Sequence, residues 1–95
     1  METVKTIIIV DDSEMNRRML AAILGDGYEY LYAEDGQEAI EILTRGTVVD
    51  LMLLDINMPN MNGFKVLDIM ERRGWLEEIP VVIISAESDT LFVHR

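Results

Sequence analysis

LLDINMPNMNG, residues 53–63, is the stretch from which the rest of the chain can be read. Two leucines carry one carboxylate, Asp55, out of an apolar run and into a loop that contains Pro59 and closes on Gly63. A short apolar run bounded by turn residues reads as a strand buried on both faces. Upstream, TIIIV (6–10) is β-branched at every position and runs straight into Asp11 and Asp12. Downstream, VVIIS (81–85) ends in the hydroxyl of Ser85. Three buried-strand patterns therefore each end in a polar group.

Between these runs the periodicity changes. Ser13 offers an N-cap to EMNRRMLAAIL (14–24), where Met15, Met19, Ala22 and Ile23 recur at helical spacing and Gly25 and Gly27 stop the pattern. YEYLYA (28–33) is aromatic and reads as a second strand, followed by an Asp35-Gly36 turn. QEAIEILTR (37–45) is predicted helical, with Ala39, Ile40 and Leu43 facing inward. DLMLLD (50–55) is the third strand, and FKVLDIMERR (64–73) is a third helix closed by Gly74. Pro80 opens the fourth strand, and Asp89 is placed to cap the start of a last helix. The order βαβαβαβ predicts a parallel sheet with helices on both faces, joined by right-handed crossovers.

Composition narrows the function. Ninety-five residues make one small domain, and a net charge of −10 lacks the clustered Lys and Arg that nucleic-acid binding needs. There is no cysteine, hence no disulfide frame and no thiolate chemistry. The N-terminus METVKT is not a signal peptide, and no apolar run approaches the ~18 residues of a membrane span. The expected location is the cytoplasm, with no membrane and no direct nucleic-acid partner.

In open parallel sheets, sites form beyond the carboxyl ends of the strands. Asp11, Asp12, Asp55 and Ser85 all fall at such ends. Clustered carboxylates repel one another unless a cation joins them. Oxygen ligands without His or Cys favour Mg2+ over zinc, and Mg2+ commonly shares its site with phosphate. A carboxylate beside such a metal can attack phosphorus and form an acyl phosphate.

With IIIVDDS (7–13), AEDGQEAI (33–40), DLMLLDINMPNMNGF (50–64) and IPVVIISA (79–86) in this order, the chain resembles the receiver domain of two-component response regulators. The resemblance implies a flavodoxin-like (CheY-like) doubly wound parallel sheet. It spans all of residues 1–95, and it implies a receiver incomplete at its C-terminus, with the fifth strand and fifth helix missing. It implies that Asp55 is the phosphoacceptor, charged by a histidine kinase, a phosphotransfer protein or a small phosphodonor. Asp12 would bind Mg2+ directly, Asp11 mainly through water, and the Asn57 carbonyl would be a further ligand. Ser85 would be the switch hydroxyl, left accessible by Ala86. Asn57 and Glu87 would tune dephosphorylation, and Pro59 and Gly63 would shape the loop. Such a domain is a signalling phosphoacceptor, not an enzyme beyond self-phosphorylation from a donor and autodephosphorylation.

Receivers also carry a lysine at the end of the fifth strand; the lysines here are Lys5 and Lys65, neither at that place, so phosphotransfer is expected to be impaired. A helix missing from one face is expected to leave an apolar patch on TIIIV and VVIIS and an open edge on the fourth strand, leading to self-association. The alternative is a non-switching, receiver-like interaction or dimerisation fragment. An aspartyl-nucleophile phosphatase would need a general acid two residues after Asp55, where Asn57 stands, and a flavin phosphate would be repelled by Asp11 and Asp12.

Overall fold

The β-branched runs become the centre of a single sheet. The computed structural model describes residues 3–85 and 90–94, with side chains from 3 to 84. In chain order the elements are β1 (Lys5–Val10), α1 (Glu14–Leu24), β2 (Tyr28–Ala33), α2 (Gly36–Thr44), β3 (Leu51–Asp55), α3 (Gly63–Arg72), a 3-10 turn (Trp75–Glu77), β4 (Val81–Ser85) and β5 (Thr90–His94). The sheet runs β2-β1-β3-β4-β5. The first four strands are parallel, which is the doubly wound, flavodoxin-like order.

The two-residue period of the strands sorts their side chains into two cores. Ile8, Val10, Met52, Leu54, Val81 and Ile83 point to one face, where Ala39, Leu43, Val66 and Met70 of α2 and α3 pack on them. Ile7, Ile9 and Leu53 point to the other, against Leu20, Ala21 and Leu24 of α1. Both faces of β1 and β3 are therefore covered, which is why their sequences are continuously apolar instead of alternating.

The helix starts are set by side-chain caps. Ser13 Oγ accepts from the Asn16 N–H at 3.2 Å, Asp35 Oδ1 from the Glu38 N–H at 2.8 Å, and Asn62 Oδ1 from the Lys65 N–H at 3.0 Å. Asp35 and Gly36 are thus the cap and first residue of α2, not a free turn. Gly36 is required by close approach: a Cβ there would stand 2.5 Å from Val66 Cγ2 and 2.8 Å from the Met61 carbonyl oxygen.

The residues at helical spacing on α1, Met15, Met19 and Ile23, are 78%, 52% and 72% exposed, and the helix packs through Arg17, Leu20, Ala21 and Leu24. Three expectations are corrected. TIIIV carries no open patch, since Ile7 through Val10 are buried beneath the helices; of VVIIS, Val82 and Ile84 are half-buried on the α1 face. Nor is β4 an open edge. The parallel fifth strand of the resembling family is not among the described residues, but Thr90–His94 pair antiparallel along β4, from Val81↔His94 to Ser85↔Thr90. This replaces the helix expected after Asp89, a residue outside those described. A connection this short permits only an antiparallel return, and a helix of one turn is a costly nucleus compared with the unpaired groups of a sheet edge.

Candidate functional site

Parallel pairing brings the carboxyl ends of β1 and β3 side by side, with Val10 opposite Leu54. The next residues, Asp11 after β1 and Asp55 at the end of β3, meet there together with Asp12. One carboxylate oxygen from each of Asp11, Asp12 and Asp55 lies within 4.8 Å of the other two. Asp11 and Asp55 are buried, at 4% and 7% exposure, while Asp12 is exposed.

Each buried carboxylate has its own backbone support. Asp11 Oδ1 accepts from the Ser13 N–H at 2.9 Å, and Oδ2 from Asn16 Nδ2 at 3.4 Å. Asp55 Oδ1 accepts from the Asn57 N–H at 3.2 Å. These bonds favour the ionised form, but burial outweighs them. Desolvation, followed by the neighbouring charges, holds the Asp55 carboxyl above the usual carboxylate range, with Asp11 and Asp12 both pushing it upward. Desolvation likewise raises Asp11, and Asp12 adds to it.

A raised acid makes the folded protein bind more protons than the unfolded chain, so its contribution to stability is present at low pH and is lost as pH rises through the raised pKa. The metal-free site should therefore destabilise the fold increasingly toward neutral pH. The melting temperature of Asp55→Asn relative to the parent is expected to climb as pH rises from the ordinary carboxylate range to neutrality. Parallel thermal scans of the two proteins in chelator measure it; a constant difference would contradict the raised pKa.

The loop that follows Asp55 is held against the site. Gly63 donates its N–H to the Ile56 carbonyl at 3.0 Å and Met61 to that of Pro59 at 2.7 Å. Asn60, at φ 69°, takes the left-handed conformation that Asn tolerates, and its Nδ2 donates to Asp35 Oδ2 at 3.2 Å. The exposed Pro59 and the buried Gly63 are both part of this closure. Asn57 is exposed beside Asp55. Ser85 ends β4 one residue beyond Ile84, the register partner of Asp55; its side chain, and Ala86 and Glu87, lie outside the described residues. Of the lysines, Lys5 opens β1 at the opposite end of the sheet, and Lys65 lies 4.0 Å from Asp68 on α3.

Two residues of the site were not singled out from sequence, Asn16 and Arg17. Arg17 is 9% exposed, and its Nη1 donates to the Asp11 backbone carbonyl at 2.6 Å. The available signal was a second helical stripe, Arg17-Leu20-Ala21-Leu24, less apolar than the exposed one because an arginine interrupts it.

The model of the response regulator receiver domain matches residues 7–95. The chain belongs to that family. The sensor histidine kinase RcsC of Salmonella typhimurium is 39% identical over 83 residues, covering 86% of this chain but 8% of the kinase. Response regulator RR06 of Streptococcus pneumoniae is 39% identical over 84 residues, covering 87% of the chain and 37% of the relative. The receiver here thus spans only a small part of these relatives. Among solved structures, the response regulator TrrA from Thermotoga maritima in complex with Mg(2+)-BeF superposes at a TM-score of 0.80, with 31% identity, over 90% of this chain and 72% of that one. A receiver domain protein from Methanospirillum hungatei gives 0.77 with 29% identity, over 90% and 68%.

The donor set of this receiver fits Mg2+: hard oxygens only, three of them within one coordination sphere's reach, two buried and mutually repelling. No helix among the described residues is long and apolar enough to cross a membrane.

Proposed function

We propose that this receiver is a phosphoacceptor of a two-component phosphorelay, acting in the cytoplasm, with Asp55 as the residue phosphorylated. The observation that carries the reading is the meeting of the buried Asp55 with Asp11 and Asp12 within 4.8 Å at the carboxyl end of the sheet. Asp11, Asp12 and Asp55 would hold a divalent cation there, which when bound would supply charge neutralisation for phosphoryl oxygens and offset the repulsion among the three carboxylates. Asp12, Asp55 and the Asn57 carbonyl are assigned as direct ligands and Asp11 as a ligand through water.

In the reaction an Asp55 carboxylate oxygen forms a bond to phosphorus. The bond from phosphorus to a histidine nitrogen of the kinase or phosphotransfer protein breaks, and that nitrogen keeps the electron pair. The Asn57 N–H, already on Asp55 Oδ1, keeps the carboxylate aimed. Ser85 is assigned as the hydroxyl that moves to the phosphoryl group, and Asn57 and Glu87 as the side chains that orient hydrolytic water. The test is a Mg2+ titration with beryllofluoride, a phosphoryl mimic, followed at the amide resonances of Asp11, Asp12 and Asn57. Saturable shifts on adding both support the reading, and Mg2+ shifts with no response to the mimic would instead favour a non-switching interaction module. Trp75 is a poor reporter for this purpose, since it lines a cleft with Asp50 at the amino end of β3.

We also propose self-association through β5, the outer strand on that side of the sheet among the described residues. The strand sequence TLFVH contains neither Pro nor Lys, two of the residues that commonly blunt an edge. Sedimentation velocity over a concentration series is expected to show a dimer growing in; a single monomer boundary throughout would exclude it.

A further inference from the structure

Arg17 sits on the inward face of α1, among Leu20, Ala21 and Leu24, where an apolar side chain would complete the stripe. Burying a guanidinium is costly unless close hydrogen bonds repay it. Here the short, buried bond from Nη1 goes to the Asp11 backbone carbonyl, not to a carboxylate. That carbonyl belongs to the peptide joining Asp11 to Asp12. A peptide unit is planar, so holding its oxygen sets the plane and with it the direction in which the Asp12 side chain leaves the backbone. Asp11 has further anchors of its own: its N–H donates to the Ala33 carbonyl at 3.1 Å, and its carboxylate is held by Ser13 and Asn16. Asp12 is exposed, and the peptide behind it carries its aim.

We infer that Arg17 is a positioning residue for the divalent cation, orienting the Asp11–Asp12 peptide so that both carboxylates face Asp55. The inference rests on the magnesium reading above. Two effects of Arg17 on that cation have opposite signs. As a positive charge near the carboxylates it opposes a second cation, so its loss would tighten binding. As a clamp on the peptide it preorganises the ligands, so its loss would loosen binding. The clamp dominates, because the buried guanidinium donates to the Asp11 backbone carbonyl and not to any of the three carboxylates. Groups that orient metal ligands from behind typically contribute 10–100-fold to affinity.

The test is Mg2+ affinity, read from the Asp11, Asp12 and Asn57 amide resonances, with thermal unfolding in chelator measured alongside. The parent is compared with Arg17→Met, Arg17→Lys and Asp12→Asn. Arg17→Met is expected to bind Mg2+ about tenfold more weakly, with a metal-free melting temperature equal to the parent's or higher. Arg17→Lys, which can still donate to the carbonyl, is expected to recover most of the loss. A merely structural arginine would lower the metal-free melting temperature and leave the affinity of the folded protein unchanged. Should the Met variant not fold, Arg17→Gln, neutral and too short to reach the same carbonyl in the same way, supplies the comparison and is expected to weaken binding several-fold. If the parent binds, Asp12→Asn abolishes binding, and the neutral Arg17 variants bind as tightly as the parent or more tightly, the positioning role is overturned while the magnesium reading stands. No saturable binding by the parent, or binding indifferent to Asp12→Asn, overturns both.

Discussion

Asp55→Asn is expected to abolish phosphoryl uptake completely while making the metal-free protein more stable. The two effects have one origin. Asp55 ends β3 inside the sheet, 7% exposed, with two other carboxylates within 4.8 Å. Asparagine has the same shape and can keep the acceptor oxygen for the Asn57 N–H, so the packing around it is preserved. It carries no charge, and its amide does not form an acyl phosphate. Removing the Asp55 charge relieves first its desolvation and then its repulsion by Asp11 and Asp12, both of which the folded protein bears and the unfolded chain does not. Relief of about 1 kcal/mol corresponds to a rise of roughly 4–8 °C in a domain of this size. Phosphorylation from a small phosphodonor, read by mass spectrometry, together with thermal scans in chelator, checks both halves. Uptake persisting in the variant would move the acceptor elsewhere. An unchanged or lower melting temperature would mean that the three carboxylates are not in conflict. Added Mg2+ should reverse the order of stability, because it stabilises the parent by mass action and binds the variant more weakly.

The second large effect is expected at Gly63. A Cβ there would stand 2.7 Å from the Asp55 carbonyl oxygen and 2.9 Å from Ile56 Cα. Both are backbone atoms, with no flexible side chain available to yield, so either α3 or the end of β3 must shift. Forcing an added methyl into packed surroundings typically costs 1–3 kcal/mol, a large share of the roughly 5–15 kcal/mol by which small domains are stable. Gly63→Ala should therefore melt several degrees lower. It should also bind Mg2+ and beryllofluoride more weakly even where folded, because the atoms displaced include the carbonyl of Asp55, the proposed phosphoacceptor. Denaturant unfolding and a beryllofluoride titration measure the two consequences. Parental stability with parental binding would show that the close approach relaxes at no cost.

The apolar stripe of α1 marks the limit of periodicity. Met15, Met19, Ala22 and Ile23 form one stripe of the helix, and Leu20, Ala21 and Leu24 form another beside Arg17. A count of apolar residues favours the first, yet the sheet receives the second. The arginine that lowers its score reaches over to the Asp11 carbonyl, a contact created by folding. The C-terminal segment is a second instance. Asp89 predicts the start of a helix at TLFVH, which pairs instead along the edge of β4.

What the sequence determined by itself was the alternation of buried strands and helices, the carboxyl-end placement of Asp11, Asp12 and Asp55, the Ser13 cap and the receiver family. These depend on local pattern: β-branched runs, a two-residue against a 3.6-residue period, and capping side chains a few positions from the groups they satisfy. The tertiary structure alone decided which face of α1 is buried, what lies along β4, and that Asn16 and Arg17 both hydrogen-bond to Asp11. Those outcomes depend on which groups meet across the sheet, where a desolvated charge or an unpaired backbone edge must find a partner, and that requirement has no periodicity to leave in the chain.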